Sequence, residues 1–187
     1  MVVVRAALAR RTSKGRHGVA RGLPRRVGIS RLADSPEALQ PLGVEQSNSS
    51  VLVAHQLIGK LVRRLEPSAN PDVELPAHLR ARGFDHVPGV AATLEIDLPG
   101  ERDAADVVMV HDLVPNESDL WEWTLGELSR SLDRPSGMFA VDDEAEPSLL
   151  LDLAELLGRR TAQLHQAHAA AGGGERARPS SSFAPQS

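Results

Sequence analysis

The chain has 187 residues, 41% of them hydrophobic, so it is long enough for one domain or a small pair with a buried core. It contains no cysteine, which excludes a disulfide framework and a thiolate metal site and fits a cytoplasmic location. No apolar run approaches the roughly 20 residues of a membrane-spanning helix. Arg5 interrupts the apolar start, so we expect neither a signal peptide nor a membrane partner.

Charge is unevenly distributed along the chain. The net charge is −4, yet residues 1–33 contain eight arginines and Lys14 and no acidic residue. The remainder carries 12 basic against 25 acidic residues, which argues against a nucleic-acid partner. Because residues 1–33 also contain four glycines and show no sustained hydrophobic period, we expect a basic, disordered arm. Its composition is also compatible with contact to an anionic surface or with a transit peptide.

Four segments have the composition of β-strands. Residues 51–53 and 57–62 are rich in leucine and β-branched residues, and His55 and Gln56 supply a short turn, which predicts a hairpin. Two further strands are expected in the body of the chain. They span residues 90–96 and 107–114.

Helices are predicted between and after these strands. Asn70 is a suitable N-cap, and Pro71 suits the first helical position. Gly83 is placed to end that helix. A second helix is expected to begin at the capping residue Ser118, and a long third helix to span 147–171.

Two tryptophans lie in the second predicted helix. The spacing places Trp121 on its buried leucine face and Trp123 on the opposite, more exposed side. Strands with one inserted helix, followed by further helices, predict an α+β fold with an antiparallel sheet. The final residues, 172–187, are glycine- and serine-rich and are expected to form a disordered tail.

Lysine usage singles out one residue. The chain has only two lysines, Lys14 in the basic arm and Lys60 in a predicted strand. A lysine on a strand can contact nucleotide phosphates and pair with a glutamate on the next helix, and Glu74 stands where such a partner would lie. An amphipathic surface strand that carries a solvated lysine is the alternative interpretation.

Two further segments are candidates for nucleotide contacts. Small polar residues at 46–50 can approach phosphate oxygens closely, although such clusters also form ordinary turns. Residues 110–114 close the last strand, where backbone groups can bind a base, although an apolar strand end has the same composition.

Acidic residues after Leu113 lack the setting of phosphoryl-transfer residues. None lies in a His-x-Asp motif or in an Asp-x-x-x-x-Asn motif beside a strand. The acidic cluster 142–146 is more typical of a solvated loop than of a cation site. His165 and His168 are three residues apart on a predicted helix, without an evident third ligand. We therefore assign neither a catalytic nor a metal-binding residue.

Taken together, these segments resemble maltokinase, an ATP-dependent kinase that makes maltose 1-phosphate for α-glucan synthesis. The resemblance covers roughly residues 41–170, in order and with compatible gaps. The matching segments are residues 42–50, 60–67, 70–74, 84–88, 115–116, 121–122 and 157–165.

The resemblance implies a protein-kinase-like small lobe at 34–115 and the helical start of a large lobe at 116–171. Lys60 would hold the phosphates of ATP and pair with Glu74, Mg²⁺ would accompany the nucleotide, and His111 and Leu113 would belong to the adenine hinge. The phosphate-covering loop would consist of Gln46, Ser47, Asn48, Ser49 and Ser50.

The chain also departs from the family pattern. Gly59 precedes the lysine where a larger apolar residue is usual, which would loosen the strand. We expect the catalytic large lobe to be absent, and maltose to be a substrate only if that lobe is supplied, as a separate chain or in association with trehalose synthase. A small-molecule kinase of the aminoglycoside-phosphotransferase type and a non-catalytic interaction module are the alternatives.

Overall fold

A computed structural model describes residues 2–16, 18–34, 38–44, 48–132 and 149–169. These residues form seven strands, four α-helices and one 3-10 helix within the described ranges. In chain order they are α1 (Val2–Leu8), β1 (Thr12–Gly15), β2 (Gly18–Pro24), the 3-10 helix (Ile29–Ala33), β3 (Leu39–Val44), β4 (Asn48–Val53), β5 (Leu57–Val62), α2 (Pro71–Ala81), β6 (Val90–Asp97), β7 (Ala105–Asp112), α3 (Leu120–Leu132) and α4 (Leu149–Ala169).

The described strands form one antiparallel sheet in the order β1-β2-β6-β7-β5-β4-β3. The predicted α+β fold is therefore confirmed, and all four predicted strands lie in this sheet. Strand β7 begins and ends two residues earlier than predicted. Bulges interrupt the pairing of β6 with β7 near Ala92 and Glu95, which shifts the alternation of faces along the sheet.

The expectation of a disordered arm at 1–33 is wrong for the residues that the structure describes. Helix α1 buries Val4, Ala7 and Leu8, and β2 pairs with β6 over six positions. Helix α1 is too short to show a hydrophobic period, and its stability comes from the sheet against which it packs. Local sequence therefore could not reveal this structure.

The face of the sheet that α1 covers contains the main hydrophobic cluster. Leu57, Leu94, Val108 and Val110 lie there, all buried against the side chains of α1. Gly59 also lies on this face, and a Cβ at that position would sit 3.4 Å from Cγ1 of Val4. The missing side chain thus accommodates the helix.

The hairpin of β4 and β5 forms as predicted, with a turn at residues 54–56. The N–H of Gln56 donates to the carbonyl of Val53 at 3.0 Å. Ala54 and His55 have φ values of 49° and 54°, in the left-handed region that residues other than glycine rarely occupy. The pairing of β4 with β5 supports this turn in place of an Asn-Gly sequence.

Helix α2 has the predicted ends. The side-chain oxygen of Asn70 accepts from the N–H of Asp72 at 2.9 Å, and Gly83 has a φ of 78° just beyond the helix. Val73 and Leu79 are the buried residues of α2. They lie outside the cluster under α1, which places α2 on the other face of the sheet.

The last two helices differ in detail from the prediction. Asp119, and not Ser118, caps α3, because its Oδ1 accepts from the N–H of Glu122 at 2.8 Å. Trp121 is 70% exposed whereas Trp123 is half-buried, so the predicted orientation of the pair is wrong.

The acidic cluster 142–146 and the tail 172–187 lie outside the described residues. No helix in the described ranges has the length and hydrophobicity of a membrane span.

Candidate functional site

Lys60 projects from the sheet face that α1 leaves uncovered. Gly59, its neighbour in β5, faces Val4 of α1, and successive residues of a strand alternate between faces. The strand register aligns Lys60 with Ser50 on one side and with Met109 on the other. Met109 in turn pairs with Thr93. One row across the sheet therefore places the lysine beside the buried Ser50 and, beyond Met109, in line with the buried Thr93.

Ser50 is buried beside Lys60, and its hydroxyl has no hydrogen-bond partner among the described residues. An unpaired buried hydroxyl costs free energy that a bound acceptor would recover. The Cα atoms of Ser50 and Lys60 are partners in the β4–β5 register. This pair is the most suitable place in the row for an anionic oxygen.

The predicted phosphate-covering loop is only partly described. Gln46 and Ser47 lie outside the described residues. Asn48 and Ser49 belong to strand β4, where they pair with Val62 and Leu61. The strand therefore begins three residues earlier than predicted, because backbone pairing with β5 extends through these polar residues.

His111 occupies the next row on the same face as Lys60. It is 7% exposed and pairs with Ile58 of β5. Burial lowers the pKa of His111, the charge of Lys60 lowers it further, and the charges of Asp72 and Asp112 oppose the shift. The imidazole is thus neutral at neutral pH, and the ammonium of Lys60 lies within electrostatic reach of it.

Glu74 lies on the exposed side of α2. Among the ion pairs of the described residues there is none between Glu74 and Lys60. The charge of Glu74 acts instead on Asp106 of β7, whose pKa is raised first by burial. The predicted lysine–glutamate pair remains a prediction, and closing it requires α2 to shift or Glu74 to change rotamer.

The predicted hinge, residues 110–114, is divided by the end of β7 at Asp112. The backbone N–H of Leu113 donates to the carbonyl of Gln56 at 2.9 Å. That bond ties the hinge segment to the β4–β5 turn, and it occupies a donor that a base would otherwise use. The backbone carbonyl groups of the hinge segment beyond the end of β7 remain candidates for contacts with a base.

Asp112 forms the centre of an ionic cluster that the sequence did not predict. Its Oδ2 accepts from Arg26 at 2.6 Å and from the N–H of Gly89 at 3.1 Å, and Arg80 of α2 lies 3.7 Å away. Burial acts to raise the pKa of Asp112, but the hydrogen bond and charge of Arg26, the Gly89 N–H and Arg80 together lower it. The cluster joins the amino-terminal segment, α2 and the hinge strand. Its members are too distant in sequence for any local pattern to connect them.

Asp106 and Glu95 form a second unpredicted feature, a pair of acids opposite each other on β7 and β6. Asp106 Oδ2 accepts from the backbone N–H of Asn70, the cap of α2, at 3.1 Å, while Oδ1 has no partner in the described residues. Burial raises the pKa of Glu95, and the charge of Asp106 adds to that shift. The strand pair therefore holds two carboxyl groups that retain protons more strongly than free ones.

This acidic pair predicts an unusual pH dependence of stability. A raised native pKa means that the folded state binds protons more tightly, so these two groups make the free energy of unfolding rise as pH falls through their raised pKa values towards the ordinary carboxyl range near about pH 4. The lowered pKa of His111 acts in the opposite direction below about pH 6.5, and the lowered pKa values of Asp97 and Asp112 do so at more acidic pH. Thermal unfolding followed by circular dichroism across this range tests the expectation.

The variant Asp106→Asn tests whether the buried carboxyl group causes this pH dependence. It removes the charge, keeps an acceptor for Asn70, and is expected to raise the Tm near pH 8 and to flatten its pH dependence. Asp103→Asn, in the exposed β6–β7 loop, is the control and is expected to change neither the Tm nor its pH dependence. A lower Tm for Asp106→Asn near pH 8, with an unchanged pH dependence, would contradict the interpretation.

Among the described residues, no group of three or more His, Asp or Glu side chains is arranged to hold a metal ion. His168 of α4 lies instead beside the ring of His78 on α2, with centroids 6.4 Å apart.

The sheet, the helix α2 across its face and the lysine row define an α+β fold of the sugar-kinase type. A glucosamine kinase from Mycolicibacterium smegmatis is 27% identical over 133 residues, which are 70% of this chain and 30% of that protein. Two crystal forms of a glucosamine kinase match with TM-scores of 0.50 and 0.51 at 25% identity. They cover 90% of this chain and 34% and 35% of theirs, so the chain spans about a third of the length of these relatives. No protein-family model matches the chain.

Proposed function

We propose that this chain is the ATP-binding part of a sugar kinase. The observation that carries the proposal is the similarity of 90% of the chain to glucosamine kinase structures at 25% identity. The position of Lys60 supports it, because a strand lysine facing the cleft is the phosphate-binding group of kinase-like small lobes.

The residues of the lysine row fit a nucleotide phosphate. The ammonium of Lys60 offers a compact positive charge. The hydroxyl of Ser50, buried and without a partner in the described residues, offers a donor beside it. Bound ATP would supply the phosphoryl group, and Mg²⁺ is proposed to accompany it, as the maltokinase resemblance implies. Glu74 would orient Lys60 once α2 closes on the row.

The acceptor is proposed to be a free sugar. The sequence segments that resemble maltokinase favour maltose, and the similarity to glucosamine kinase favours glucosamine. We expect no sugar-dependent release of ADP by this chain alone, because no residue in it has been assigned as the catalytic base or the metal ligand. A coupled ADP assay with each sugar, with and without a large lobe supplied from a related kinase, distinguishes the two acceptors.

The nucleotide role predicts different effects for the two lysines of the chain. Lys60→Met keeps the apolar stem of the side chain and removes the charge, so ATP affinity is expected to fall by about tenfold or more, the equivalent of one lost charge-assisted contact. Lys14→Met, on the exposed edge strand β1, makes the same change away from the row and leaves affinity unchanged. Isothermal titration with ATP, with and without Mg²⁺, measures the ATP affinity of the two variants.

The variant Ser50→Ala tests the proposed phosphate site independently of Lys60. Removing a buried hydroxyl that lacks a partner within the described part of the chain leaves the Tm unchanged or raises it. The same variant is expected to weaken ATP binding by a few-fold, since a donor to phosphate is lost. Equal ATP binding by wild type, Lys60→Met and Ser50→Ala would contradict the proposed site.

A further inference from the structure

A cavity of about 370 Å³ opens on the amino-terminal side of the fold. It lies between the carboxyl-terminal end of α1 and the connection from β2 to the 3-10 helix. Leu8 and Ile29, both buried, contribute its apolar lining, and Arg10, Arg25 and Arg26 its charge. The remaining lining residues are Pro24, Val27, Gly28 and Ser30.

The lining of this cavity is strongly basic. It contains three arginines and no acidic residue. In the part of the chain that the structure describes, no hydrogen bond or ion pair engages the side chain of Arg10 or Arg25. The charge of Arg25 reaches Glu95 and Asp106, where it opposes the rise that burial causes in the pKa of each. The two guanidinium groups therefore keep their hydrogen-bond donors for a ligand.

Arg26 is held in position at the wall of the same cavity. Its Nη2 donates to Asp112 at 2.6 Å, and Asp112 is itself fixed by the N–H of Gly89. The hydrogen bond to Asp112 raises the pKa of Arg26, so this group is charged at any physiological pH. Because Asp112 neutralises its charge, Arg26 fixes the wall of the cavity and adds little net positive charge to it.

The cavity is separate from the lysine row. Helix α1 covers the opposite face of the sheet from Lys60, as the contact between Val4 and Gly59 shows. Lys60 does not line the cavity, although the charge of Arg25 also reaches Glu95 and Asp106 on β6 and β7.

We propose that this cavity binds a small phosphate monoester dianion. Guanidinium groups match phosphate oxygens through paired N–H donors, and Arg10 and Arg25, which have no hydrogen-bond or ion-pair partner among the described residues, suit a doubly charged group. The cavity volume lies in the range of small-molecule sites, so there is room for a compact organic group beyond the phosphate. The proposal also accounts for the concentration of arginines in residues 1–33 that the nucleotide site does not use.

The proposal is tested by isothermal titration of the purified chain with inorganic phosphate and, separately, with a hexose 6-phosphate. We expect saturable binding, tighter for the hexose phosphate if the organic group occupies the apolar part of the cavity. The variant Arg10→Gln/Arg25→Gln removes two charges and leaves the Arg26–Asp112 bond intact. It is expected to weaken binding by about tenfold or more, because two charge-assisted contacts are lost.

The matched control is Arg16→Gln/Arg102→Gln, which removes the same charge from two exposed sites away from the cavity. Its affinity is expected to stay within about twofold of wild type, as net charge alone has only a screened effect at moderate salt. Circular dichroism melts establish that both double variants are folded, and the single variant Arg10→Gln repeats the test with a smaller change. Equal weakening in both double variants, or no saturable binding of either phosphate by the wild type, would overturn the proposal.

Discussion

Gly22→Ala is expected to be the most destabilising single substitution considered for this chain. Gly22 lies in β2 under the end of α1, and a Cβ there would overlap the carbonyl oxygens of Ala6 and Ala9. Because both contacts are backbone atoms of a packed helix, the clash is relieved only by moving α1 off the sheet. We expect a loss of about 3 kcal/mol, at the upper end of overpacking effects. For a chain of this length that corresponds to a fall in Tm of roughly 6–12 °C.

Gly158→Ala is the matched control. Gly158 lies within α4, and a Cβ there would meet nothing within 4 Å. The same chemical change is expected to be neutral or to stabilise the helix by up to about 1 kcal/mol, because alanine has the higher helix propensity. Urea unfolding followed by circular dichroism compares the two. If Gly22→Ala unfolds at the same urea concentration as wild type, α1 does not lie on β2 as described.

Leu79→Ala is expected to have the second-largest effect. Leu79 is 1% exposed and is the most buried side chain of α2, the helix that carries Glu74. Truncating it removes apolar contacts and leaves a cavity between α2 and the sheet, with an expected cost of about 2 kcal/mol, at the lower end of the range for buried leucines. The position of α2 also becomes less defined, so ATP affinity should fall together with stability if Glu74 orients Lys60.

Leu75 provides a control one turn earlier in the same helix. It is 42% exposed, so Leu75→Ala removes little buried surface and is expected to cost less than about 1 kcal/mol. Denaturant unfolding measures the free energy of unfolding of both variants. Because both are Leu→Ala substitutions in the same helix, the change in helix propensity is the same for the two. Similar losses for the two leucines would show that α2 does not pack on the sheet through Leu79.

Local features of the sequence were sufficient where a short-range interaction sets the structure. The Asn70 cap, the position of Gly83 at the end of α2 and the alternation in β5 each depend on neighbours within a few residues. These signals predicted the α+β class and the antiparallel sheet. They also identified Lys60 as the one lysine of the sheet's central strands, although its role and that of Glu74 stay predictions.

Tertiary structure decided what depended on distant partners. Helix α1 has only seven residues and is stable because Val4 and Leu8 are buried against the sheet. Strand β2 forms because it pairs with β6, 68 to 78 residues away. Neither interaction leaves a local pattern, so a glycine-containing, acid-free segment was mistaken for a disordered arm.

The candidate sites divide in the same way. The sequence by itself determined which residue types are available for phosphate: one lysine in the predicted β4–β5 hairpin, a run of small polar residues and an excess of arginine near the start. Only the folded sheet decided that Ser50 and Lys60 share one face, and that Asp112 meets Arg26 at 2.6 Å. The physical reason is that strand register and long-range ion pairs are set by the burial of the whole sheet, which no short window of sequence contains.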